Sequence, residues 1–371
     1  MNGNYFATIA QISDLHFIED ITEEGRRLWL KKFVKSHAYA KVQALQISLD
    51  KLQLERRSYA PDEQIDLLLA TGDISTDGSH EAMTTARSFI RDRQVWVGGS
   101  RGPSRPVAVD GVAVRGMGLD RSRLLVIPGN HDRYTAAFLP VQRPSLELEQ
   151  VFELENRYPY VVGYRRPQFR NNIGQPALIF FVLDSTPPEF KFFKWYEIHK
   201  LTARGRLTDG DCVFLRDASR EIRDSGRVKV LGGMEDMPVD YDNAVRVAVL
   251  HHHPVDITGS DPWDFTTLLE GRDGFLGSCF DAGVDLVLFG HQHRKGFGLR
   301  TRPAPGGLHG PSVIKFFCCP STTEYSCTEN GFFVFKFGFD RCSVETHAFT
   351  GTAFELKSED PVPYGRHLNV R

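Results

Sequence analysis

The chain has 371 residues, 41% of them hydrophobic and 25% charged, and a formal net charge of -2. That balance excludes a disordered or fibrous chain, permits a sizeable core, and supplies no global charge to draw the molecule to DNA or an anionic membrane. Six cysteines are too few for a disulfide scaffold, the start into Phe6-Ala7-Thr8-Ile9-Ala10 has no leader pattern, and no apolar run reaches membrane-spanning length, so a cytoplasmic location is expected.

One elaborated domain over 1–353 is the simplest organisation. Residues 8–13 read as a buried strand whose carboxyl end delivers Asp14 and His16. Val42, Leu45, Leu49 and Leu52 recur at helical spacing and predict an amphipathic helix near 38–55. A second apolar run at 65–70 leads into Gly72-Asp73, and a helix is expected near 79–92. Residues 93–123, rich in Gly, Pro and Arg, read as an insertion in which Val107, Val109, Val112 and Val114 hint at a hairpin. Its Arg101, Arg105, Arg115, Arg121 and Arg123 suit a solvated basic loop better than a polyanion grip. A strand at 124–127 ends in Gly129-Asn130-His131-Asp132, and a helix is expected near 145–156.

Strands at 177–183, 244–250 and 284–289 follow, the last two presenting His251-His252-His253-Pro254 and Gly290-His291-Gln292-His293. Between them, 187–204 reads as a second insertion, with Phe190, Phe192, Phe193, Trp195 and Tyr196 as local core or a dimer contact rather than a substrate platform. Residues 255–275, with Trp263 and Phe265, suit a pocket wall or core equally. The β-rich runs 312–319, 331–338 and 342–349 are expected to extend a second sheet, and the polar 354–371 to form a loosely held C-terminal tail. Strands alternating with helices imply a largely parallel core, with ligands gathered at the carboxyl ends of its strands.

Carboxylate, imidazole and amide groups at five strand ends are enough to hold two divalent ions, a centre suited to in-line displacement at phosphorus. Taken singly, each histidine would be an ordinary hydrogen-bonded side chain; the ordered set carries the signal. In order and type the five motifs resemble the calcineurin-like metallophosphoesterase family. The resemblance implies an α/β fold, a four-layer α/β/β/α sandwich with two packed mixed sheets. It also implies a bridging Asp73, with Asp14, His16 and His293 completing one site and Asn130, His252 and His291 the other. Within the histidine run the family pattern selects the position two before the proline, His252, with His251 as the alternative register. Mixed nitrogen and oxygen ligation favours two ions among Mn (manganese), Fe (iron), Zn, Co and Ni over Mg or Ca.

His131 is then expected to bond a phosphate oxygen or protonate the departing alkoxide, with Asp132 orienting its imidazole. Gly72-Asp73-Ile74-Ser75 and the aspartate after His131 differ from the GDxVDRG and GNHE of serine/threonine phosphatases. Leu183-Asp184-Ser185, Gly205-Arg206-Leu207-Thr208 and the histidine run are similar to the cyclic-nucleotide phosphodiesterase branch. Two divalent ions against two aspartates and a hydroxide leave about one positive charge, a match for a diester monoanion. The expected activity is therefore hydrolysis of small phosphodiesters, cyclic nucleotides or glycerophosphodiesters, by hydroxide generated at the metals. The alternatives are a nuclease or phosphomonoesterase of the same family, or a non-catalytic scaffold; the near-neutral charge argues against nucleic acid as a partner.

Overall fold

The computed structural model describes residues 5–19, 21–22, 36–97, 105–133, 145–154, 156–186, 204–257, 268–303 and 312–364. Two six-stranded sheets organise them. The first begins with β1 (Ala7–Ile12), β2 (Leu67–Thr71) and β3 (Leu124–Ile127). The second takes β4 (Tyr160–Tyr164), β5 (Leu178–Val182), β6 (Val245–Val249), β7 (Leu286–Phe289), β8 (Gly296–Arg302) and β9 (Ser312–Cys318). The chain then returns to the first sheet with β10 (Gly331–Phe337), β11 (Arg341–Phe349) and β12 (Phe354–Pro363). The orders are β12-β11-β10-β1-β2-β3 and β8-β9-β7-β6-β5-β4. β1, β2 and β3 run parallel, as do β5, β6, β7 and β9, while the outer pairings are antiparallel, so both sheets are mixed.

The central strands read as continuous apolar runs because both of their faces are covered. Helices α1 (Tyr39–Tyr59) and α2 (His80–Arg91) lay Val42, Leu45, Met83, Phe89 and Ile90 against Ala10, Ile12, Leu68 and Val126 of the first sheet. On the second sheet, α3 (Asp209–Ser225) and α4 (Arg272–Ala282) press Leu215, Ile222, Phe275 and Cys279 onto Phe181, Ala248, Val287 and Phe316. Between the sheets, Ile9, Leu69 and Ile127 meet Phe180, Val247 and Leu288, with Phe333, Phe335 and Phe337 filling one end. The result is the expected four-layer sandwich. Each fully buried side chain of this size stabilises it by roughly 1.5–3 kcal/mol.

Several sequence expectations are corrected. The strands at 312–319, 331–338 and 342–349 do not extend one sheet together: β9 continues the parallel run of the second sheet, whereas β10 pairs antiparallel with β1 of the first. Local apolar patterning marks a strand but does not choose its partner. Residues 354–364 of the expected tail are not loose, because β12 pairs with β11 along its length and anchors Phe354, Val362 and Tyr364 in the core. A polar edge strand needs only backbone pairing and one sparse apolar face, so its composition resembles a tail; 365–371 lie outside the described residues. The helix near 145–156 is confined to Glu147–Val151. The hinted hairpin forms between Ala108–Val109 and Val112–Ala113, and the Arg123 guanidinium is taken up by the carbonyls of Ile65 and Asp66. The aromatic run 187–203, with Trp263 and Phe265, lies outside the described residues. Among the described residues, no helix is long and apolar enough to cross a membrane.

Candidate metal centre

The two sheets present their motifs to one another at the carboxyl ends of their parallel strands. β1 leads to Asp14 and His16, β2 to Asp73 and β3 to Asn130; facing them, β6 leads to His251 and His252, and β7 to His291 and His293. Hydrogen bonds fasten the two rims: Gln11 Nε2 donates to the Phe289 carbonyl at 3.1 Å, and the His291 amide donates to Asp14 Oδ2 at 3.1 Å. The Asp14 and His16 amides in turn donate to the Gly72 and Asp73 carbonyls, both at 3.0 Å, zipping the loop after β1 to the loop after β2.

Among the described residues, five of the seven non-glycine residues with positive φ are candidate ligands: Asp14, His16, Asp73, His291 and His293. Side chains rarely adopt that conformation, and it persists where surrounding structure over-determines it, typically at functional sites. The motif glycines answer to the same crowding. A Cβ at Gly72, where φ is +90°, would stand 2.4 Å from His251 Nδ1, and one at Gly129 would stand 2.1 Å from Asp73 Oδ1.

Two groups of potential ligand atoms result, Asp14 with His16, Asp73 and His293, and His251 with His252 and His291, each within 4.8 Å of one another. Ligands on opposite sides of an ion at about 2.1 Å each would stand about 4.2 Å apart, so both groups have the right span. In the first, His293 Nε2 lies 3.2 Å from Asp14 Oδ1 and 3.4 Å from His16 Nε2. In the second, His251 Nε2 lies 3.2 Å from His291 Nδ1. Asp73 joins the groups, since its Oδ2 is 3.3 Å from that same His251 nitrogen. Asn130 is buried one residue from His131, whose amide donates to Asp73 Oδ1 at 2.9 Å. Among the described residues, Asp14 Oδ1, Asn130 Oδ1 and His252 Nε2 are buried and find no hydrogen-bond partner. Buried acceptors left in this state call for a cause, and cations between them would satisfy all three.

Electrostatics agree with that reading. Burial pushes His252 and His291 well below the usual histidine range, and His251 beside them adds to the effect, so both stay neutral, the ligating form. Burial also opposes charge on His251, yet the Asp73 carboxylate overcomes it and raises His251 to about 9. A proton on His251 offsets the Asp73 charge, and a cation held by these groups would take its place.

His131 and Asp132 are not coupled as the sequence suggested. The His131 ring donates from Nδ1 to the Thr76 carbonyl at 2.7 Å and stands edge-on to His16 with ring centres 5.0 Å apart. Asp132 is fully buried and turns the other way, accepting from the amides of Ile74, Ser75 and Gly129 at 3.2, 2.8 and 2.9 Å and from the Ser75 hydroxyl at 3.0 Å. It therefore ties the loop after β2 to the loop after β3 instead of orienting the imidazole. Burial, helped by Asp73, raises its carboxyl to about 6.

One site residue escaped the sequence reading, and another stood in it only as the alternative. His251 was subordinate to His252, yet its Nδ1 donates to the Thr71 carbonyl at 2.7 Å, which leaves Nε2 as the nitrogen aimed at Asp73. Glu324, in the connection from β9 to β10, bonds His293 Nδ1. An acidic residue soon after an apolar strand was the only available signal. Ser185, noted in sequence, has its Oγ 2.9 Å from His252 Nδ1.

Among solved structures, a dimetal phosphatase from Danio rerio aligns at 13% identity and a TM-score of 0.47, covering 97% of this chain and 99% of the other. GAP50, the anchor in the inner membrane complex of Plasmodium, aligns at 10% identity and 0.46, covering 98% and 89%. A 5'-nucleotidase-like protein from Staphylococcus aureus aligns at 14% identity and 0.40, covering 96% of this chain but 54% of the other. No curated protein matches the chain. The family model described as calcineurin-like phosphoesterase matches residues 7–295, a span that holds all five motifs and both ligand clusters. By that match the chain belongs to the calcineurin-like phosphoesterase family of metallophosphoesterases, and its two histidine and aspartate clusters are consistent with a dimetal site.

Proposed function

We propose that the centre hydrolyses small phosphodiesters of the cyclic-nucleotide or glycerophosphodiester kind, using two divalent ions drawn from Mn, Fe, Zn, Co and Ni. The observation that carries this reading is the position of Asp73, which stands in the first cluster and reaches the second through Oδ2, 3.3 Å from His251 Nε2. Asp14, His16, Asp73 and His293 would hold one ion. Asp73, Asn130, His251, His252 and His291 would hold the other. When bound, such a pair polarises phosphoryl oxygens and lowers the pKa of water toward neutrality.

The chain's own groups supply the rest. His131, half-buried and pinned through Nδ1, has Nε2 as its remaining ring nitrogen, and in the protonated form that atom gives its proton to the leaving oxygen. Arg133, next in the motif, adds no charge for a dianionic monoester, because its guanidinium bonds Asp184 at 2.7 Å and Glu149 at 2.5 Å. The segments similar to the cyclic-nucleotide branch lie against the second cluster, which supports the diester reading: Ser185 holds His252, and a Cβ at Gly205 would stand 2.3 Å from the His252 ring.

The test is the Mn-loaded protein with bis(p-nitrophenyl) phosphate and p-nitrophenyl phosphate, with and without chelator. The diester should turn over faster and chelation should abolish the activity. A preference for the monoester would overturn the diester reading, and chelator-insensitive turnover would overturn the metal mechanism. Cyclic nucleotides and glycerophosphodiesters then define the natural class.

A further inference from the structure

We infer that Glu324 is a positioning residue that sets the metal affinity of the first cluster through His293, an inference that rests on the dimetal reading above. Its carboxylate is 6% exposed and bonds His293 Nδ1, which turns His293 Nε2 toward Asp14 Oδ1 and His16 Nε2. A carboxylate behind a ligating imidazole fixes the tautomer and ring orientation and raises the basicity of the nitrogen facing the ion. In the second cluster, His251 leans on the Thr71 carbonyl and His252 on the Ser185 hydroxyl, both neutral. An anionic support behind His293 therefore strengthens the first site through that ligand.

The placement of Glu324 is built by its surroundings. Ser326 Oγ donates to its second carboxylate oxygen at 2.6 Å. Immediately before it, Ser321 Oγ donates to the Asp14 carbonyl at 2.8 Å and Thr323 Oγ1 to the Leu15 carbonyl at 2.7 Å, while Thr322 Oγ1 accepts from the Ser13 amide at 3.1 Å. Lys41 Nζ on α1 closes the loop from the other side, donating to the carbonyls of Glu324 and Cys327 at 2.7 and 2.9 Å and to the Asn330 side chain. The connection that carries the chain from the second sheet back to the first is thus sewn to the residues flanking Asp14 and His16, with Glu324 at the point where it meets His293.

Mn2+ binding to the metal-free full chain, by calorimetry and equilibrium dialysis, tests this. Wild type should take up two ions. Glu324→Gln, which keeps the shape and a hydrogen-bond acceptor, should weaken one site by about 10–100-fold and leave the other unchanged. The electron paramagnetic resonance of Mn2+ should change from a spin-coupled pair to a single ion at limiting metal excess, and Glu324→Asp should restore part of the affinity. In a His293→Ala background, Glu324→Gln should have no further effect. Full-affinity binding of two ions by Glu324→Gln, equal weakening of both sites, or an undiminished effect without His293 would each overturn the inference while leaving the dimetal reading intact. A wild-type chain that binds no Mn2+ would overturn both. Matching thermal unfolding of metal-free wild type and Glu324→Gln separates these outcomes from misfolding.

Discussion

Asp14, His16, Asp73, His291 and His293 hold left-handed backbone, a conformation that costs an L-residue roughly 1–2 kcal/mol. The rims that hold them there include Asp132, whose carboxylate satisfies three amides and a hydroxyl. His131 and Asp132, adjacent in the motif, should therefore fail differently. His131→Ala should retain two metals and lose about 10²–10⁴-fold in kcat on an alkyl phosphodiester; unchanged turnover would remove its proposed role. Asp132→Ala leaves three buried amides without partners and should lower the unfolding free energy by about 3 kcal/mol or more, read by urea titration. Stability equal to wild type would remove the anchoring role. The motif residues were legible because each group stands at the end of an apolar run, three of the five led by a glycine (Gly72, Gly129 and Gly290). The divided roles of His131 and Asp132 were not, because the Thr76 carbonyl and the Ile74 and Ser75 amides that decide them come from another strand's loop.

β10 shows what an element's surroundings add to its pattern. Phe333, Phe335 and Phe337 point into the core between the sheets, while Lys336 on the opposite face is buried among Glu63, Glu345 and Glu359, with Arg56 and His347 also on Glu345. Burial alone would raise the Glu345 carboxyl, but bonds from His347, Arg56 and Lys336 reverse that and lower it to about 2 from 4.5. A depressed carboxylate stabilises the fold above its unfolded pKa, and that contribution is lost as pH falls through the folded value. Glu345→Gln should cost about 3 kcal/mol at neutral pH, with the difference from wild type shrinking between pH 4.5 and 2. A difference independent of pH over that window would show that the network does not act through charge. Such clusters are invisible in sequence, since Arg56, Glu63, Lys336 and Glu345 come from separate elements.

At the scale of the whole molecule, the ligands belong to both sheets, so two bound ions would fasten one layer of the sandwich to the other. Ligands that bind only the folded state stabilise it by mass action, about 2.7 kcal/mol for each at a hundredfold excess over Kd. Dialysis against chelator should lower the melting temperature, and Mn2+ should restore it in a concentration-dependent way by calorimetry. A melting temperature indifferent to both treatments would mean that the clusters do not hold ions across the sheets.

The central parallel strands, the two helices over the first sheet and the polar ends of the strands were written in the chain, because apolar periodicity and turn chemistry act over a few residues. Partner choice among strands was not: β9 and β10 look alike locally yet join different sheets, and the polar β12 passes for a tail until β11 pairs with it. The same limit applied within the histidine run. Only the approach of β6 to β2, which sets His251 on the Thr71 carbonyl, and the loop after β5, which brings Ser185 to His252, decided how these imidazoles are oriented, since that depends on contacts between residues far apart in sequence.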